Sequence, residues 1–268
     1  MTRMSIRSWL TVSAISLAAL GLVACDTTKD ESAKWPPERL YTEAKEEASA
    51  GAYEKAIKLY ERLEGRAAGT VLAQQAQLER AYLLWKTAES AQALAVLERF
   101  LKLHPTSPAY DYALYLQGLI NFNDSLGFMG SLTAQDLSER DQQASRDAYQ
   151  SFRQLIERFP QSSYAEDARL RMNYIVNSLA AYEVHVARYY FRRGAYIAAA
   201  NRAQAAVTEF QNSPSAEEAL YIMSQSYDRL GLTQLRDDAD RVLRSSFPNT
   251  QVYANGLGNK KTPWWKPW

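Results

Sequence analysis

Apolar positions recur along this chain with a period near 3.6, and the runs they form are interrupted four times by one short hinge. The hinges read HPTSPAYDYA at His104 to Ala113, FPQSSYAEDA at Phe159 to Ala168, FQNSPSAEEA at Phe210 to Ala219, and FPNTQVYA at Phe247 to Ala254. Each follows an apolar helical run, places proline or a polar residue where a helix should stop, and offers Ser or Thr to cap the next helix. In two hinges the serine precedes a proline suited to the first helical position, Ser107-Pro108 and Ser213-Pro214. In a third, Ser163 and Glu166 have the spacing of a capping box. The hinges begin 55, 51 and 37 residues apart, which fits a helix-pair unit in the mid-thirties lengthened twice by insertions. No run alternates as a strand does, so the expected class is all-α.

The first pair runs from about Arg39 to Gly65, with Gly51 ending its first helix and AYEKAIKLYERL forming its second. Gly51-Ala52-Tyr53, followed by Ala56 and Tyr60, resembles the small and aromatic positions of a tetratricopeptide repeat, where closely crossing helices need small side chains. The second pair spans about Thr70 to Leu103, with Ala93 and Leu97 lying 37 residues beyond Ala56 and Tyr60. An insertion from Asn123 to Gln143 interrupts the third pair before Ala148 and Phe152 resume the pattern. An insertion of that length in a compact solenoid is either functional or disordered. The fourth pair, Ala165 to Phe210, has a long first helix ending at Arg192-Arg193 and repeats Gly-Ala-Tyr at Gly194 to Tyr196. The fifth, about Ala216 to Phe247, has Gly231 after its first helix and Arg236 where the small alanine belongs, as a terminal cap does. The expected architecture is a right-handed solenoid of about five tetratricopeptide-like pairs, with amino-terminal repeats over 38–160 and carboxy-terminal repeats over 161–250.

Ahead of the repeats, Arg3 and Arg7 precede an uncharged run from Trp9 to Val23 and then Leu22-Val23-Ala24-Cys25. The run is short for a membrane span of about 20 residues and ends in polar DTTKDES, so residues 1–24 read as an export signal in preference to a retained anchor. The segment resembles a bacterial lipobox, which implies cleavage before Cys25, an S-diacylglycerol group on its thiol and N-acylation of the new terminus. Several acyl chains at about 0.8 kcal/mol per buried methylene hold a protein at a bilayer. Asp26 resembles the signal that retains lipoproteins at the inner membrane in enteric bacteria. Residues 25–37 are polar, end in Pro36-Pro37, and read as a tether reaching at most roughly 40 Å.

Charge and composition narrow the function classes. Of 31 basic and 30 acidic residues, Arg3 and Arg7 fall in the export signal, which leaves 29 against 30. A near-neutral chain carries no electrostatic footprint for nucleic acid. Cys25 is the sole cysteine, which leaves no intrachain disulfide and no cysteine metal centre. His104 and His185 stand in no tight ligand spacing, and the P-loop, GxSxG and GxGxxG patterns are absent. The expectation is no enzyme, no metal and no cofactor other than the covalent lipid.

Seventeen tyrosines remain to be accounted for. At repeat positions such as Tyr53, Tyr60, Tyr82 and Tyr149 an aromatic at helical spacing is core packing, while others are expected to line the groove that stacked pairs create. Tyr182, Glu183, Arg188, Tyr189, Tyr190, Arg192 and Arg193 crowd one segment with more charge and aromatic surface than a helix core requires, which marks it as a partner-binding surface. The tail over 251–268 carries Trp264, Trp265 and Trp268 among Lys260, Lys261 and Lys266. It reads either as an anchor for a partner or membrane interface or as a segment folded back on the last repeat.

Taken together, the lipobox, the tether, the helix pairs, QGLIN at Gln117 to Asn121, an insertion ending SERDQQ, and YEVHVARYYFRRGAYIAAANR at Tyr182 to Arg202 resemble the BamD (ComL) family. These are lipoproteins of the outer-membrane β-barrel assembly (Bam) machinery. The resemblance covers the mature chain apart from the tryptophan tail. It implies a scaffold lipid-anchored at the periplasmic face of the outer membrane. It also implies amino-terminal repeats that recognise unfolded β-barrel substrates through a carboxy-terminal signal. The carboxy-terminal repeats would bind the periplasmic domains of a BamA-like barrel protein and the small Bam lipoproteins. The family's Asn-Arg pair, whose arginine meets an acidic residue of BamA, falls on Asn201-Arg202, so Arg202→Glu is expected to weaken partner binding with little change in stability. The family's aromatic, Pro- and Gly-containing segment between the first two repeats reads RAAGTVL here, Arg66 to Leu72. Two other readings stay open: a different repeat lipoprotein, such as a secretin pilotin or a cell-division coordinator, and a peptidoglycan-acting enzyme.

Overall fold

The computed structural model describes residues 31–126 and 142–257. Cys25, Asp26, most of the insertion and the tryptophan tail lie outside the described residues. Within them a short 3-10 turn, Glu31–Lys34, precedes eleven α-helices. Five consecutive pairs form: α1 (Pro37–Ser49) with α2 (Tyr53–Arg66), α3 (Val71–Lys86) with α4 (Ser90–Leu103), α5 (Tyr110–Leu126) with α6 (Gln143–Arg158), α7 (Ala165–Arg192) with α8 (Tyr196–Glu209), and α9 (Ala216–Arg229) with α10 (Thr233–Ser246). A single turn, α11 (Val252–Asn255), closes the stack. This is the all-α solenoid of tetratricopeptide-like pairs that the periodicity requires.

The tight turns inside the pairs share one geometry. Gly51, Ala88, Gly194 and Gly231 all have positive φ, between 64° and 81°. In each turn the following N–H reaches back to a carbonyl five residues earlier: Ala52 to Glu47, Glu89 to Leu84, Ala195 to Tyr190 and Leu232 to Tyr227, at 2.8–3.0 Å. These bonds satisfy carbonyls that the helix end leaves unpaired. Glycine adopts this conformation freely, whereas alanine at position 88 pays about 1–2 kcal/mol for it. Beyond each turn a small residue lets the helices cross closely, and Ala56, Ala93, Ala148 and Ala199 are all 0% exposed. Arg236 takes that place in the last pair and turns outward to Asp228 and Asp237, as befits a terminal unit.

The hinges between pairs differ from their expected capping. Their fourth residue, Ser107, Ser162, Ser213 or Thr250, donates its backbone N–H to the carbonyl of the first at 2.9–3.1 Å. The hydroxyl of that residue accepts from the N–H two positions on, at Ala109, Tyr164, Ser215 and Val252, at 3.2–3.4 Å. Ser162 therefore does the work that the capping-box spacing assigned to Ser163, and no side-chain cap bonds the start of α7. Pro108 and Pro214 lie in the turn, ahead of helices that begin at Tyr110 and Ala216. A hydroxyl bonded within its own turn satisfies the backbone locally and moves the helix start downstream. Two of these hydroxyls also donate across to the preceding hinge's helix, Ser162 to Asp111 and Thr250 to Glu217, each at 2.7 Å.

Helix α7 spans 28 residues and joins two cores. Its first half contributes Ala168, Ile175 and Leu179 to the cluster around Phe152, and its second half contributes Val184 and Ala187 to the alanine-rich core with α8 and α9. At the other end Arg66 donates to the carbonyls of Ala33 and Trp35, which ties the 3-10 turn to the first pair.

Candidate functional site

In a stack of helix pairs the first helices lie side by side and their shared face is concave. Along that face, from the first pair to the start of the fourth, the structure assembles a row of tyrosines. Gln75 of α3 donates to the Tyr41 hydroxyl of α1 at 2.5 Å. Tyr82 meets Trp85 edge-on at 6.1 Å on α3. Tyr112 of α5 lies 5.6 Å from the ring of Tyr164, which stacks at 4.6 Å on Tyr115. The row ends where Tyr115 donates to Asp167 at 2.8 Å and Arg171 donates to the same carboxylate. Burial, followed by the nearby Glu79 carboxylate and neighbouring tyrosines, pushes the Tyr112 phenol up to about 12. Burial opposes ionisation of Asp167 too, but the bonds from Arg171 and Tyr115 outweigh it and hold the carboxyl below its usual value. Of the tyrosines assigned to core packing, Tyr60 is fully buried and Tyr53 and Tyr149 pack against core clusters; Tyr82 belongs to both core and groove.

The carboxy-terminal surface is organised around α7. Tyr182, His185, Val186, Tyr189 and Tyr190 line a cleft of about 350 Å³. Tyr189 is 52% exposed and carries the Arg193 guanidinium over its ring at 5.3 Å. On α8, Arg202 donates through Nη1 to Glu183 at 3.1 Å. Glu183 is only 5% exposed, while the Arg202 side chain remains 46% exposed. The hydrogen bond that Arg202 donates to Glu183, reinforced by the carboxylate's charge, raises the Arg202 pKa.

The sequence-derived residues thus separate into two groups. Tyr189 lines the cleft with Arg193 over its ring, and Arg202 stands near Tyr182 and Tyr190 of the cleft, with exposed Asn201 adjacent in sequence. Arg188 faces the other way: it grips Glu218 of α9 through two bonds of 2.8 and 2.9 Å and braces the fourth pair against the fifth. Such a two-bond pair between half-buried partners is a structural strut. Glu183, expected on the exposed surface, is instead the buried counter-charge for Arg202. Its place among Ala180, Val184 and Ala187 on the apolar stripe of α7 is the signal that identifies it in the sequence. Arg202→Glu would set a second carboxylate against the buried Glu183, so its expected neutrality for stability is corrected: the variant is expected to lower the melting temperature.

His104 packs against the Phe100 ring at 5.1 Å, and His185 sits in the tyrosine cleft. Among the described residues no group of three or more His, Cys, Asp or Glu is arranged to hold a metal ion, and no helix is long and apolar enough to cross a membrane.

Comparison with known proteins matches this organisation along most of its length. The family model YfiO, described as an outer membrane lipoprotein, matches residues 33–242. The outer membrane protein assembly factor BamD of Neisseria meningitidis serogroup A is 46% identical over 255 residues, covering 93% of this chain and 96% of the relative. The chain belongs to the BamD family. The BamD of Vibrio cholerae is 36% identical, covering 85% of this chain and 95% of its own. Among solved structures, a Podospora anserina kinesin light chain with tetratricopeptide-like repeats aligns over 80% of this chain at 15% identity and a TM-score of 0.34. The YfiO match contains both the tyrosine row and the Arg202 surface.

Proposed function

We propose that this chain is a scaffold lipoprotein that assists the folding and insertion of β-barrel proteins into the outer membrane, working without a catalytic site. The observation that carries this reading is the BamD-family match, which extends without interruption over both repeat halves. Cys25 takes the covalent lipids and holds the protein at the periplasmic face. The amino-terminal tyrosine row receives extended, unfolded substrate, since rings and hydroxyls on a concave face offer large contact area at low entropic cost. The Arg202 surface receives a BamA-like periplasmic domain, and the small Bam lipoproteins join at the same half. What supports the Arg202 assignment is that the guanidinium commits one nitrogen to Glu183, leaving its other N–H groups free of partners among the described residues and half exposed beside an aromatic cleft. A partner carboxylate there completes a charge-assisted fork.

The test is a mild-detergent pull-down from the native envelope with a carboxy-terminal tag. Arg202→Lys serves as the companion because lysine keeps the ion pair to Glu183 and loses the planar fork. The expected result is recovery of a large β-barrel protein with periplasmic repeats, reduced about tenfold in the companion at an unchanged melting temperature. Recovery of a secretin in its place would refute the assembly role. Separately, Cys25→Ala is expected to leave the repeats folded and to release the protein from membranes that lack its partners; continued membrane fractionation would refute lipid anchoring at this residue.

A further inference from the structure

Glu79 of α3 stands one turn beyond Gln75, which bonds the Tyr41 hydroxyl, and one turn before Tyr82, on the same face of the helix. It is partly buried and acts electrostatically on Tyr41, Tyr60 and Tyr112. Yet it forms no hydrogen bond or ion pair with any described residue, and the one cation acting on it, Lys45, is exposed and beyond ion-pair distance. Burial raises its pKa, with Lys45 opposing weakly. A raised carboxylate pKa means that the ionised form is a liability to the folded state: the penalty is present at neutral pH and is relieved as pH falls through the folded value. Glutamine would fill the same space without that cost. An unpaired carboxylate kept at a stability cost in a groove of rings is a residue placed for something that arrives.

We propose that Glu79 is the specificity anchor of the amino-terminal groove and selects extended polypeptide segments in which a lysine or arginine lies two residues from an aromatic side chain. This rests on the reading that the amino-terminal repeats receive unfolded chains, and it names the feature of the chain that they read. Charge complementarity decides the cation, because an incoming ammonium or guanidinium supplies the missing partner of Glu79. Spacing decides the rest. In an extended chain, positions i and i+2 share a face and lie about 7 Å apart. Tyr82 stands one turn from Glu79 on the same helix face, about 5–6 Å away between Cβ atoms, and α5 adds Tyr112 and, behind it, the Tyr115–Tyr164 stack. A cation on Glu79 therefore sets the next same-side residue against a tyrosine ring.

The full lipidated protein in mild detergent is titrated with two synthetic nonapeptides, one with Arg and Phe at alternate same-side positions and Ser between them, the other with Glu replacing Arg. Wild type is expected to bind the Arg peptide and to bind the Glu peptide at least tenfold more weakly. Glu79→Gln is expected to lose about tenfold for the Arg peptide, while Glu98→Gln, exposed on α4, stays at the wild-type value. At pH 7 Glu79→Gln is expected to melt at or above the wild-type temperature. Unchanged affinity in Glu79→Gln, with affinity lost in Tyr112→Ala, overturns the anchor and leaves the groove reading standing. Failure of wild type to bind either peptide overturns both. A Glu79→Gln protein that melts lower shows a structural carboxylate and also overturns the proposal.

Discussion

Replacing Gly118 with leucine lowers the stability of the chain by about 3 kcal/mol. A Cβ built on Gly118 of α5 meets the Phe152 ring of α6 at 2.5, 2.7 and 2.8 Å, closer than carbon atoms approach without displacement. Phe152 cannot swing away, because it is fully buried and packs with Tyr115, Leu114 and Leu155. Helices α5 and α6 are separated in sequence by the insertion and not by a short turn, and the close approach of Gly118 to Phe152 lies at their contact. For a domain of this size each kcal/mol moves the midpoint about 2–4 °C, so thermal unfolding should shift by roughly 6–12 °C. Gly118→Ala costs less, since it adds only the Cβ where leucine adds three further carbons beyond it. Combining Gly118→Ala with Phe152→Leu should recover part of the loss, because the smaller side chain vacates the space that the new methyl needs. An unshifted midpoint in Gly118→Leu would show that the two helices can move apart freely.

The second large effect is expected at Glu64. Arg80 of α3 is 8% exposed, and it reaches Glu64 of α2 at 3.0 Å and Glu61 at 3.1 Å, while Arg99 of α4 closes on the other Glu64 oxygen at 2.6 Å. The network ties the first two pairs together beside a cleft of about 260 Å³ floored by Ile57, Leu84 and Val96. Burial raises the Glu64 pKa in spite of both guanidinium groups. Glu64→Leu leaves Arg80 buried with only the exposed Glu61 for compensation, and such removal of one partner costs about 3–5 kcal/mol. Replacing both charges, Glu64→Leu with Arg80→Leu, should return the protein to within about 1 kcal/mol of wild type, because apolar packing offsets the desolvation the pair no longer pays. Denaturant unfolding of the two singles and the double measures this directly. A double variant as unstable as Glu64→Leu alone would mean that the packing of the two side chains, and not their charge, holds the pairs together.

Much of this organisation is legible in one dimension because a repeat writes its constraints at fixed spacing. Gly51, Gly194 and Gly231 mark the turns where the chain needs positive φ, and the same geometry recurs at Ala88, where the letter gives no hint of it. Ala56, Ala93, Ala148 and Ala199 mark the helix crossings of the first four pairs, and Arg236 in the fifth turns outward to Asp228 and Asp237. Hinge capping was less legible. Ser162 and Ser163 are adjacent hydroxyls of equal chemical capacity, and only the turn decides which one faces the N–H of Tyr164.

Periodicity and turn residues, both local in sequence, were enough to determine an all-α stack of helix pairs, and the order of motifs was enough to point to the BamD family. What the tertiary structure alone decided is which charges face each other. Arg188, Arg193 and Arg202 look alike in sequence, yet one braces α9 through Glu218, one lies over Tyr189, and one is held by a buried Glu183. Likewise Glu64 and Glu79 lie on consecutive helices with similar burial, but only Glu64 meets arginines. A helix period says which side of its own axis a residue occupies. The rotation and offset between packed helices, set by side-chain interlocking, say what that residue meets.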